Sequence, residues 1–322
     1  MDISVILCTY NRCESLRRAL ASIAGSESSE SLKWEVLIVD NNSQDQTYEL
    51  AQEFCHVHPD RFRYVFEERP GKSNALNTGV REAKGRVLAF MDDDVIVEPA
   101  WLFNLTYPLI NESWAGSGGP ILPEWTGAPP AWLPDDKRLL TPLPLFDLGA
   151  ATRLMEEPPF GTNMAFQASM FEKYGMFRTD LGPTPFSEVR SEDTEFGLRL
   201  LKGGEKFRYV PSAVVYHRVE PNRLRKSYFL RWWRDKGRAD VRQYGIEGEK
   251  QWCVGGIPVV LFRRIVSWTF RWLVRLNSSK RFEAKLQLWG NVGRVLEAFR
   301  LRKVGEAYPD ASKIESKLIR GR

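Results

Sequence analysis

The chain has 322 residues, 43% of them hydrophobic and 27% charged. That is long enough to bury one large core or two smaller ones, and it excludes a disordered chain, a collagen-like repeat and a disulfide-stapled miniprotein. The net charge of +5 conceals a split: residues 1–217 carry 21 Lys and Arg against 31 Asp and Glu, and residues 218–322 carry 25 against 10. Six of the 11 tryptophans fall in the basic part, so the composition suggests an acidic body and a basic segment that meets an anionic surface. Cys8, Cys13, Cys55 and Cys253 form no CxxC pair and read as buried or reduced thiols of a cytosolic protein. Residues 3–9 are apolar, but the run is too short for a signal and lacks a basic lead, so a buried strand is expected. No run of about 20 uncharged apolar residues predicts a membrane-crossing helix. The expected location is cytoplasmic, with a peripheral membrane position open.

In chain order, apolar runs at 3–9, 34–40, 86–91 and 115–122 predict buried strands, with one more at 62–67. Helical patterns lie between them near 14–24, 45–57, 71–83 and 98–110. This alternation predicts βαβ units and a mostly parallel sheet with helices on both faces. Residues 116–144 are rich in Gly and Pro and predict a long loop over the carboxyl edge of the sheet. Trp125 and Trp132 of that loop suit either stacking on a ligand or packing onto the core, with packing favoured. A helix is expected over 191–202 and strands over 206–210 and 213–217. From 223 onward the pattern is helical, basic and aromatic.

In an open α/β sheet, ligands bind beyond the carboxyl ends of the strands. Those ends read Cys8-Thr9-Tyr10-Asn11-Arg12, Asp40-Asn41-Asn42-Ser43 and Asp92-Asp93-Asp94. The chain lacks a GxGxxG after the first strand and any GxxxxGK[ST], which argues against a dinucleotide dehydrogenase and a P-loop NTPase. Three adjacent carboxylates repel one another unless a cation intervenes, and a hard divalent cation, Mg²⁺ or Mn²⁺, takes oxygen ligands and shares them with phosphates. The plain alternative is a solvated acidic turn. An apolar strand leading into the carboxylates favours the cation.

Seven stretches in fixed order then resemble a family-2 glycosyltransferase of the GT-A fold: SVILCTYNR at 4–12, VLIVDNNSQDQT at 36–47, GKSNALNTGVREAKG at 71–85, LAFMDDDV at 88–95, FGTNMAF at 160–166, SEDTEF at 191–196 and VVYHR at 214–218. The resemblance covers about two-thirds of the chain. It implies that Asp40 accepts a hydrogen bond from the nucleobase of a nucleotide-sugar donor, with Thr9, Tyr10 and Arg12 around it and Lys72 near the phosphates. Asp92, Asp93 and Asp94 match the DxD region: Asp92 and Asp93 toward the donor nucleotide, Asp92 and Asp94 with His217 toward the metal. Gly161, Thr162 and Asn163 match a loop near the donor sugar and acceptor. Glu192-Asp193 matches the xED motif, whose Asp is the base of inverting members. Many members carry Glu where this chain has Arg12. Processive members carry QxxRW, for which Tyr228-Phe229-Leu230-Arg231-Trp232 puts Tyr in place of Gln, favouring transfer of a single hexose-type sugar.

The expected activity is metal-dependent inverting transfer from a UDP-sugar to a glycan, lipid-linked or small-molecule hydroxyl. The alternatives are a sugar-phosphate nucleotidyltransferase, whose Gly-rich first loop is missing, and a degenerate scaffold. The expected domains are a catalytic one over 1–218, with nucleotide-sugar binding in 1–120 and acceptor binding in 121–218, and a helical basic region over 219–322. Within the latter, residues 223–276 are expected to meet an anionic membrane, and no nucleic acid is expected. On a helix over 257–276, Arg264, Ser267, Arg271 and Arg275 share one face, with Val260, Ile265, Trp268, Trp272 and Leu276 largely away from it, as in an interfacial helix or in a helix packed on the catalytic body with its basic face turned to solvent.

Overall fold

A computed structural model describes residues 1–26, 32–185, 187–245, 252–254 and 257–304. The chain divides into two compact units, the first comprising Met1–Glu124, Pro144–Pro185 and Glu192–Val219.

The first unit runs β1 (Ile3–Thr9), α1 (Cys13–Ala24), β2 (Trp34–Asp40), α2 (Thr47–Val57), β3 (Phe62–Phe66), α3 (Lys72–Glu82), β4 (Val87–Asp92), β5 (Val95–Val97), α4 (Trp101–Asn111), β6 (Gly116–Gly118), β7 (Ile121–Trp125), β8 (Arg153–Met155), β9 (Asn163–Gln167), α5 (Ser169–Tyr174), α6 (Glu192–Lys202), β10 (Phe207–Tyr209) and β11 (Val215–Val219). The main sheet has the order β3-β2-β1-β4-β9-β6-β10-β8, and a small sheet has the order β5-β11-β7. Strands β3, β2, β1 and β4 are parallel, and β9 runs antiparallel to both β4 and β6.

The unbroken apolar runs follow from burial on both faces. Val5 and Leu7 join a core with Leu16 and Leu20 of α1 and with Trp101 and Leu105 of α4, whereas Ile6 between them joins Ala75 and Leu76 of α3 with Phe166 and Phe196. The period of two along a strand requires this division. One carboxylate helps start two helices: Asp45 accepts the Cys13 N–H at 3.0 Å, opening α1, and the Thr47 N–H at 3.1 Å, opening α2. Those amides have no partner within their own helices.

The expected first strands and helices are present, and three features differ from expectation. The expected strand at 115–122 is two short strands parted at Gly119-Pro120, where proline offers no N–H to a ladder. The expected loop over 116–144 contains β6, β7 and a 3-10 turn over Lys137–Leu140. Strands β5, β8 and β9 and helix α5 were not expected.

The second unit comprises Trp125–Leu143, Phe186–Ser191 and the described part of Glu220–Arg322. It holds α7 (Lys226–Tyr244), a two-strand ladder of β12 (Cys253–Val254) and β13 (Ile257–Pro258), α8 (Val259–Val274) and α9 (Ser278–Val304). Trp132 packs edge-on against Phe229 and Phe282 at centroid distances of 5.2 and 5.1 Å. Buried Glu297 of α9 accepts from Arg238 and Arg242 of α7 and from Arg300, at 2.9, 2.7 and 2.6 Å. Burial alone would raise its pKa, but these guanidinium groups outweigh burial and lower it. Part of the basic surplus therefore neutralises an internal carboxylate.

Helix α8 corrects the expected division of its faces. Val260 and Ile265 pack inward against Val241, Leu261, Val295 and Leu301. Trp268 and Trp272 are half-buried, with Lys285 5.2 Å from the Trp272 ring, and Leu276 is fully exposed.

Candidate active site

The carboxyl ends of β1, β2 and β4, the amino end of the antiparallel β9 and the first turn of α6 supply the expected residues. Lys72 opens α3, and its Nζ lies 2.5 Å from Asp92 Oδ1 at the end of β4. Thr162 donates its hydroxyl to the other oxygen, Asp92 Oδ2, at 2.8 Å. Burial opposes charge on both partners of this pair. Asp92, followed by Glu192, outweighs burial at Lys72 and raises its pKa; Lys72 in turn lowers that of Asp92. The contribution of Glu192 and Asp193 at Lys72 puts the α6 carboxylates within electrostatic reach of the β4 end.

Asp93 and Asp94 share a different cation. Arg12 NH1 lies 3.0 Å from Asp93 Oδ1 and 3.1 Å from Asp94 Oδ2, and the Thr9 hydroxyl donates to Asp93 Oδ2 at 2.8 Å. Asp93 is buried, and burial with Asp94 and Asp92 nearby outweighs Arg12 and Thr9, raising it to about 6. His217, buried on β11, has Nε2 3.3 Å from Asp94 Oδ1 because β11 pairs with β5 just beyond the carboxylates, His217 opposite Val95.

The structure thus divides the expected metal trio: Asp94 stands with His217, whereas both oxygens of Asp92 are engaged by Lys72 and Thr162. Among the described residues, no group of three or more His, Cys, Asp and Glu side chains is gathered to hold a metal ion. The Asp94 and His217 pair still fits a divalent cation in part, since it offers one carboxylate oxygen and one imidazole nitrogen side by side.

Asp193, in the first turn of α6, is held from two sides. Its Oδ2 accepts the Gly161 N–H at 2.7 Å and its Oδ1 accepts the Thr194 N–H at 2.7 Å. A Cβ on residue 161 would lie 2.9 Å from Asp193 Oδ2, so a larger residue here would push the carboxylate out of this position. Glu192 is buried beside it in the same turn. Asp40, buried at the end of β2, accepts the Ser43 N–H at 2.9 Å and the Tyr64 hydroxyl at 3.0 Å. Tyr10 is exposed at the edge of this region.

Asn163, next to Thr162, has its side chain turned inward. It is buried, accepts from the Trp101 indole at 2.9 Å and donates to the carbonyls of Pro120 and Ala213 at 3.0 and 2.8 Å, so its side chain ties three segments together. Two residues without an expected role also shape the site. Tyr64 reaches Asp40 because it sits opposite Ile38, and residues 38 and 40 share a face of β2. Asn41 accepts the Gly71 N–H at 2.7 Å and donates to the carbonyls of Glu67 and Arg69 at 3.1 and 2.7 Å, fixing the turn that delivers Lys72. Its place directly after Asp40 at a strand end was the available signal.

Known proteins match the sequence and the fold. The family described as Glycosyl transferase family 2 matches residues 4–143, and Glycosyl transferase family group 2 matches residues 151–282. Glycosyltransferase AglE of Haloferax volcanii is 36% identical over 100 residues, 31% of this chain and 33% of that protein. The glucosyl-dolichyl phosphate glucuronosyltransferase of the same organism is 27% identical over 225 residues, 68% of this chain and 70% of that one. The match thus spans about a third of the first relative's length and over two-thirds of the second's. The structure of a Pyrobaculum calidifontis mannosyltransferase in complex with GDP-Man and Mn²⁺ shares the fold with a TM-score of 0.56 at 19% identity, covering 97% of this chain and 78% of that one. GalNAc-T7 with UDP, GalNAc and Mn²⁺ gives 0.53 at 18% identity, covering 75% of this chain and 51% of that one. With the strand-end carboxylates, the α6 acid pair and these matches along most of its length, the chain belongs to glycosyltransferase family 2 and has the GT-A fold.

Proposed function

We propose that the chain transfers one hexose-type sugar, with inversion, from a nucleotide diphosphate sugar to an acceptor hydroxyl, with Asp193 as general base. The observation that carries this reading is the link through Gly161 and Thr162, adjacent residues of which one holds Asp193 and the other holds Asp92. Such transfer needs a base on one side of an anomeric carbon and positive charge on the other: Gly161 holds the base, and Thr162 holds Asp92, whose other oxygen positions the Lys72 ammonium.

Asp193 takes the proton of the acceptor hydroxyl, whose oxygen forms a bond to the anomeric carbon. The bond from that carbon to the diphosphate breaks, and the nucleotide diphosphate leaves with the electron pair, so an α-linked donor yields a β-linked product. The two amides that bind Asp193 orient it and leave lone pairs for the proton. Lys72 and Arg12 set positive charge at the strand ends where the diphosphate lies. Asp94 and His217 would hold a divalent cation, which when bound would neutralise charge on the leaving diphosphate. The Mn²⁺ in both structural neighbours supports this cofactor. Asp40, with Tyr64 and Ser43, faces the nucleobase of the donor, for which a UDP-sugar is favoured. A lipid-linked acceptor is favoured by the dolichyl phosphate in a relative's name.

The test is a panel of UDP- and GDP-sugars, with hydrolysis and transfer measured in EDTA and after adding Mn²⁺ or Mg²⁺. One donor should be turned over only with cation present, and the sugar product should have the opposite anomeric configuration by NMR. Full activity in chelator would overturn the cation, and a retained configuration would overturn Asp193 as the base.

A further inference from the structure

Helix α8 presents apolar side chains in two directions. The inward side packs on the small core around Leu261. On the outward side Val266, Phe270 and Leu273 recur at intervals of four and three residues and are 69%, 65% and 60% exposed. Val274 is 52% exposed, and Leu276, just past the helix, is 100% exposed. Intervals of three and four keep residues on one side of a helix, so these side chains form a continuous strip.

The strip sits in a cationic frame. Residues 257–276 contain Arg263, Arg264, Arg271 and Arg275 and no carboxylate. Arg263, three residues before Val266 and seven before Phe270, lies on the outward side with the strip, and exposed Arg271 borders it with its guanidinium 4.7 Å from the Trp268 ring. At the start of the helix, the Val259 N–H donates to the Trp252 carbonyl at 2.9 Å, which fixes Trp252 there with its side chain 90% exposed. Among the described residues no helix is long and apolar enough to cross a membrane.

We propose that this outward face of α8, with Trp252 at its end, docks on an anionic lipid surface. The helix lies in the plane of the interface, with Val266, Phe270, Leu273, Val274 and Leu276 in the acyl boundary and the arginines on headgroup phosphates. Charge complementarity selects this occupant. A second copy would bring the same arginines face to face across a two-fold contact. Single-stranded nucleic acid needs exposed aromatic platforms, but four of the five outward side chains are aliphatic. This inference is independent of the sugar-transfer reading, and its test uses no donor or acceptor.

The experiment is co-sedimentation of the full chain with vesicles of phosphatidylcholine alone and of phosphatidylcholine mixed with phosphatidylglycerol. The protein should pellet with the anionic vesicles and much less with the neutral ones. Val266→Gln, Phe270→Gln and Leu273→Gln together should weaken anionic-vesicle binding by about tenfold or more. Arg263→Gln with Arg271→Gln should narrow the preference for anionic vesicles. Because a variant can fail to fold, hydrogen exchange on the unaltered protein supplies a second reading: vesicles should protect backbone amides of 259–276. Equal pelleting of the wild type and the apolar triple variant, or no gain of protection in 259–276, would overturn the proposal. It would also be overturned by a dimer that the triple variant dissolves, or by oligonucleotide binding, in the absence of pelleting.

Discussion

Asp193 is set apart from Glu192 by what holds it: the Gly161 amide on one oxygen and the Thr194 amide on the other. Asparagine keeps the shape but removes proton-accepting power and leaves one amide facing an NH₂ group. Asp193→Asn is therefore expected to lower turnover by about 10²-fold or more with donor affinity within a few-fold of wild type, measured by steady-state kinetics and calorimetry. Normal turnover would move the base to another group. Glu67 gives a second residue-scale expectation. Arg69 binds it with its backbone amide at 2.8 Å and with its guanidinium at 2.9 Å, Thr78 donates to it as well, and these bonds, led by the Arg69 side chain, lower its pKa to about 2 against the cost of burial. A folded pKa below the unfolded one makes the unfolded state bind more protons in between, so stability rises with pH. The contribution is whole above an unfolded pKa of about 4.3 and is lost as pH falls toward about 2. Glu67→Gln should accordingly melt below wild type near neutral pH, with the gap closing as pH approaches 2; a gap constant with pH would refute this linkage.

At the scale of elements, α7 and α9 come together at glycines. A Cβ on Gly237 would lie 1.9 Å from the Gly290 carbonyl oxygen, and one on Gly293 would lie 1.8 Å from that of Arg234. A Cβ on Gly290 would meet Trp233 at an ordinary 3.6 Å. Backbone cannot yield as a side-chain tip can, so Gly237→Ala should destabilise the chain by about 3 kcal/mol or more, whereas Gly290→Ala should stay within about 1 kcal/mol of wild type. Comparable losses in chemical denaturation would show that the helices do not pack this closely. The elements also show what the sequence made legible. Strands β1, β2 and β4 were readable because burial on both faces leaves unbroken apolar runs that end in polar residues, and the strand-end carboxylates came with them. Strand β9 was not, because its residues 163–166 read as part of a loop motif and its antiparallel place between β4 and β6 depends on partners far along the chain. The Arg12 contacts with Asp93 and Asp94, the reach of Tyr64 to Asp40 and the inward turn of Asn163 are long-range facts of the same kind, with no local pattern to announce them. On α8 periodicity separated basic from apolar residues, but not the apolar residues packed inward from those left outside.

For the whole molecule, the composition split has a mixed physical origin. The acidic balance of residues 1–217 includes carboxylates drawn to one edge of a sheet, where Lys72 and Arg12 oppose them. The basic surplus beyond residue 217 is partly internal, since three arginines surround Glu297, and partly displayed beside the outward strip of α8. Net charge alone therefore overstates how much of the second unit is presented to an anionic partner. The loop of Gly161 and Thr162 has a mechanical consequence of its own. Successive Cα atoms are separated by about 3.8 Å across a trans peptide, a length that neither side chain packing nor solvent can alter. Asp193 and Asp92 belong to elements 101 positions apart in the chain, yet both are held by adjacent residues of one loop. The two carboxylates are thus moored to neighbouring points of one segment, and a shift of the Gly161–Thr162 backbone disturbs the base and the Lys72 partner together.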